Sequence, residues 1–68
     1  MRQLLVQVRE QHGYSIEFVA EKCGITASEY LLIEVGAKVS LETAVNICKL
    51  LGFDLQDILK LFENKELV

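Results

Sequence analysis

From Thr26 to Gly36 the chain carries a helix start, a helix length and a helix stop. That combination leaves room for little but a helix. Thr26 and Glu29 stand at the spacing where a cap hydroxyl and a carboxylate satisfy two orphan N–H groups reciprocally. Tyr30 and Ile33 follow on one face, and Gly36 ends the run. The same punctuation recurs on both sides. Ser15 caps a segment predicted over about 16–23, with Val19, Ala20 and Cys23 inward, Gly24 as its stop and Ile25 packing into the turn. Ser40 caps another, about 41–51, with Leu41, Ala44, Ile47, Cys48 and Leu51 on one side and Gly52 as its stop.

The flanks fit the same pattern. Met1, Leu4, Leu5, Val8 and His12 recur at three- and four-residue steps, which predicts a first helix over about 2–12 with that stripe on the core, stopped by Gly13. Asp54 is placed to cap a last helix, about 55–63, with Leu55, Ile58, Leu59 and Phe62 inward. Residues 64–68 read as a short tail. Ala37-Lys38-Val39 reads as a short connection. The expected fold is all-α, five helices in one domain over 1–68. There is no proline, half the residues are hydrophobic (51%), and no repeat or linker separates a second unit.

Several function classes find no support. No run reaches the roughly 18 apolar residues of a membrane span. The start, Met1 to Glu10, is too polar for a secretory signal. The chain is therefore expected in the cytoplasm and away from membranes. Cys23 and Cys48 sit at apolar helical positions and read as small buried hydrophobes in a reducing compartment. With the single His12 they fall short of the about four ligands of a zinc site, so no metal is expected. A Cys–His nucleophile pair lacks any orienting motif. No glycine-rich phosphate loop or carboxylate constellation supports an enzyme, so no catalytic residue and no cofactor are assigned.

Two short helices joined by a glycine turn suggest helix-turn-helix architecture. The string Ser15-Ile16-Glu17-Phe18-Val19-Ala20-Glu21-Lys22-Cys23-Gly24-Ile25-Thr26 resembles the second helix and turn of the Xre/Cro/cI repressor family. Ile33-Glu34-Val35-Gly36 resembles that family's end of the third helix. Ser40 to Ala44 and Leu50 to Leu55 resemble its fourth helix and the start of its fifth. The resemblance covers about residues 4–62. It implies an Xre/Cro-like (lambda-repressor-like) domain, a transcription regulator with its recognition helix at about 27–35. It also implies a structural ion pair between Arg9 and Glu34, since a carboxylate at the negative pole of a helix wants a cation.

By the same resemblance, Ile16, Glu17, Phe18, Ala27, Ser28, Leu31, Leu32, Val35 and Lys38 face the partner. Members of the family often carry Gln, Arg, Ser or Lys at such places. Here only Ser28 offers a hydrogen bond from the outer face of the third helix, while Ile16, Phe18, Leu31, Leu32 and Val35 form an apolar set. Across residues 15–40, four acids against two bases leave −2, and the whole chain carries −3. Nucleic-acid binders are usually basic. Lys38 and the N-termini of the second and fourth helices could anchor phosphates, with Arg2 and Lys22 in reserve. Two readings follow. In one, the chain binds operator DNA as a homodimer, because one helix reads only a half-site. Aliphatic side chains then meet thymine methyls. In the other, a degenerate helix-turn-helix presents its apolar third helix to another protein. Leu61, Leu67 and Val68, with Phe53 and Phe62, are placed to form a dimer seam or to close the core.

Overall fold

The computed structural model describes residues 1–62. Its helices are α1 (Gln3–Gln11), α2 (Ile16–Cys23), α3 (Ala27–Val35) and α4 (Leu41–Leu51), then a 3₁₀ turn (Leu55–Asp57) running into α5 (Ile58–Leu61). Three helices start on side-chain caps. The Ser15 hydroxyl accepts the Phe18 N–H (3.0 Å), and Ser40 accepts Thr43 (3.2 Å). Thr26 and Glu29 close a full capping box, each bond 3.1 Å. Between α2 and α3, Gly24 adopts φ +74°, a left-handed conformation that side chains resist. There the Ile25 N–H turns back to the Ala20 carbonyl (3.0 Å) and the Gly24 N–H to Glu21 (3.2 Å). These paired bonds satisfy the last carbonyls of α2 and aim the chain into α3.

The core is built from Leu5 of α1, Val19 and Ala20 of α2, Tyr30 and Ile33 of α3, and Ile47, Cys48 and Leu51 of α4. Leu61 and Phe62 close it. Helix α2 packs chiefly on α3 and α4.

Several apolar positions lie elsewhere than the periodicity predicts. Met1, Leu4, Leu41, Leu55 and Leu59 are exposed. On α1 only Leu5 is buried, with Val8 half-buried, and His12 is exposed. Arg2, at the N-cap of α1, is buried with its guanidinium over the Phe62 ring. The segment after Gly52 is a 3₁₀ turn joined to one α-turn; Phe62 lies inward as expected, and Leu61 joins it in place of Leu55 and Leu59. Asp54 precedes that turn in extended conformation and makes no side-chain cap. Of the expected seam, Leu61 and Phe62 are core residues and Phe53 is half-buried. Leu67, Val68 and the end of the predicted last helix lie outside the described residues.

Candidate nucleic-acid interface

The third helix is fixed from behind by two arginines of the N-terminal segment. Arg9 Nε donates to Glu34 Oε2 at 2.5 Å, and its Nη2 reaches Glu34 Oε1 at 3.4 Å. Its Nη1 donates to the Tyr14 carbonyl at 2.8 Å. Both side chains are largely withdrawn from water, 12% and 5% exposed. The Glu34 hydrogen bond raises the Arg9 pKa, against the opposing cost of burial. The Tyr30 hydroxyl is buried near this pair and has no well-formed hydrogen bond among the described residues. Burial first, and then Glu34, hold it protonated well above the usual tyrosine range.

Sequence reasoning held Arg2 as a reserve phosphate anchor and missed its buried role at the end of α3. Its backbone N–H donates to the Glu34 carbonyl (2.8 Å), its Nη1 donates to the Ile33 carbonyl, and its guanidinium lies over the Phe62 ring (5.1 Å). It is 8% exposed. A cation at the carboxyl end of α3 meets the negative pole of that helix. The available signal was the last turn of α3, which has no basic residue of its own. Arg2 is thereby removed from the reserve of phosphate anchors.

The opposite side of α3 is uncovered. Ser28, Leu31, Leu32 and Val35 recur at three- and four-residue steps, so they share one stripe about 100° wide, away from Tyr30, Ile33 and Glu34. Leu31, Leu32 and Val35 are 48, 57 and 55% exposed. Ser28 is exposed and Ala27 half-buried. The remaining expected partner-facing residues divide. Glu17 and Lys38 are exposed. Ile16 is half-buried and packs on the core, which corrects its place in the exposed apolar set. Phe18 is at the margin: its ring meets Tyr14 (centroids 4.7 Å apart), and the Lys22 ammonium lies over it at 5.5 Å. Between the end of α3 and the start of α4 runs a groove of about 310 Å³. Leu32, Ile33 and Val39 give it apolar walls, and Glu29 and Lys38 add charge of both signs.

With Glu34 neutralised by Arg9, the exposed charges over 15–40 are Glu17, Glu21 and Glu29 against Lys22 and Lys38, a balance of −1. The surface is therefore close to neutral. Among the described residues no helix is long and apolar enough to cross a membrane, and no three His, Cys, Asp or Glu side chains group as a metal site.

A capped helix, a left-handed glycine turn and a second helix with its outer face open define a helix-turn-helix unit. The helix-turn-helix family model matches residues 5–58, most of the chain. The chain belongs to this family, that of the Xre/Cro/cI-type helix-turn-helix proteins, which are DNA-binding regulators. Neither the curated proteins nor the solved structures compared with it gave a match.

Proposed function

We propose that the chain is a small cytoplasmic transcription regulator that binds operator DNA as a homodimer, with α3 in the major groove. The observation that carries this reading is the uncovered α3 stripe, Ser28 to Val35, tied from behind by Arg2 and Arg9. In this pose Ser28, Leu31, Leu32 and Val35 approach base edges, Ala27 lies at the margin, and Ile16, Glu17 and Lys38 flank the backbone. Lys22 and Lys38 are the cations nearest that surface. A dimer then brings about four, fewer than the roughly 6–10 phosphate contacts of strong binders. Affinity for random duplex is accordingly weak, and the log–log salt slope is about −3 to −4. The homodimer gains support from the exposed leucines of the C-terminal half, Leu41, Leu55 and Leu59.

One observation favours a second reading. Three exposed aliphatics on one helix stripe are unusual beside a polyanion and ordinary at a protein interface. In that reading the chain is an interaction module whose α3 face docks on another protein.

Selection from a random duplex pool at low salt, followed by titration of the enriched sequences, separates the two. Enrichment of paired half-sites about 34 Å apart supports the repressor reading. A pool that emerges unenriched, together with a protein partner lost on Leu31→Glu, supports the module.

A further inference from the structure

We propose that the α3 face selects its sites through 5-methyl groups in the major groove, which makes Leu31, Leu32 and Val35 the specificity-determining residues. The inference rests on the DNA-binding reading and adds to it the chemistry that is read.

Readout by hydrogen bonds needs side chains that donate or accept in the groove. Along the exposed stripe only Ser28 has one. Its neighbour Glu29 is occupied: its Oε1 accepts the Thr26 N–H at 3.1 Å, so that oxygen is held in the cap rather than offered to a cytosine amino group. The Lys22 ammonium lies over the Phe18 ring, and Lys38 sits beyond the end of α3. What remains is aliphatic. A leucine laid on polar base edges strips them of water and offers nothing in return. A leucine laid on a methyl group removes apolar surface on both sides. Of the four ordinary bases, thymine alone presents a methyl in the major groove.

The stripe also sets the size of what is read. From Ser28 to Val35 is seven residue steps, about 10 Å of helix. At about 3.4 Å per nucleotide along one strand, that spans roughly three base pairs. The expected half-site core is therefore two or three consecutive positions carrying thymine on one strand or the other. Ser28 supplies a hydrogen bond at one end. 5-Methylcytosine presents the same group and should substitute for thymine at these positions.

The test uses the full chain and a site enriched from the random pool. Each thymine is replaced in turn by deoxyuridine, which keeps every hydrogen-bonding group and lacks only the methyl. About fourfold weaker binding is expected at each contacted position. Placing a 5-methylcytosine–guanine pair there should hold most of the affinity, and unmodified cytosine should not. In Leu32→Ala, whose side chain is exposed and whose helical signal can be checked, deoxyuridine should cost nothing at one of these positions. An enriched site bound equally well with deoxyuridine throughout overturns the methyl readout and leaves DNA binding standing. A pool from which no sequence is retained overturns both.

Discussion

Arg9 and Glu34 join α1 to the last turn of α3 through a two-pronged bond, Nε to Oε2 at 2.5 Å and Nη2 to Oε1 at 3.4 Å. The pair sits behind the reading stripe, so it sets how α3 is presented rather than what α3 touches. Removing one partner strands the other charge in a largely dry site, which costs about 3–5 kcal/mol. A domain of this size has little stability in reserve, so Arg9→Ala is expected to unfold or nearly so. Arg9→Lys keeps the charge and loses the fork. Chemical denaturation should place it between the parent and Arg9→Ala. Equal stability of Arg9→Lys and the parent would show that the fork contributes nothing.

Alkali should destabilise the fold in two stages. Burial raises the pKa of Cys23 and of Cys48, and raises Tyr30 further with help from Glu34. A folded-state pKa above the unfolded one means the unfolded chain loses its proton first. The stabilisation is complete below the unfolded pKa and is lost as pH rises through the folded one. The thiol contribution therefore starts to fall near about pH 8.5 and the Tyr30 contribution near about pH 10. Denaturation midpoints measured from pH 7 to 11 should show both. Tyr30→Phe should flatten the upper stage, and thiol reagents should react slowly until the chain is unfolded.

The capping box gives a local test. Thr26→Ala removes the acceptor of the Glu29 N–H at the start of α3 and should cost about 1 kcal/mol. Gly24→Ala should cost a similar 1–2 kcal/mol, because φ there is +74° although the space around it is open. Thermal unfolding of the two variants checks both values.

How much of this was readable in the residues depends on the range of the interaction. Caps and stops act within three or four residues, so Ser15, Thr26, Ser40 and the four glycines mark helix ends in the sequence itself. The bounds of α2, α3 and α4 follow from them. Arg9 and Glu34 lie far apart in the chain, and the family pattern joins them where spacing alone would not. Burial was the weaker reading. A chain that is half hydrophobic offers more apolar positions than so small a core can enclose. Periodicity cannot choose among Leu4, Leu5, Leu55, Leu59 and Leu61, and packing settles on Leu5 and Leu61. Arg2 escaped because a charged residue near a terminus normally signals solvent. Its role depends on the end of α3 arriving beside it.

Self-association follows from the leucines left outside. Leu59→Lys replaces a half-exposed side chain and should change monomer stability by no more than about 0.5 kcal/mol. If the exposed face around Leu55 and Leu59 is the dimer seam, the variant should sediment as a monomer at concentrations where the parent is dimeric. Identical sedimentation of the two would move the seam elsewhere.

The affinity of Leu32→Arg for random duplex, measured against the parent over a range of salt, shows whether the outer face of α3 lies against DNA. Leu32 is 57% exposed and sits mid-stripe on α3, so the substitution alters the proposed contact surface and leaves the core intact. With α3 against DNA, the new guanidinium gains a phosphate or a guanine. Tighter binding is expected, with the log–log salt slope steeper by about one for each protomer that gains a phosphate. Unchanged affinity and slope would contradict the DNA-binding reading, because the face would then not approach DNA at all.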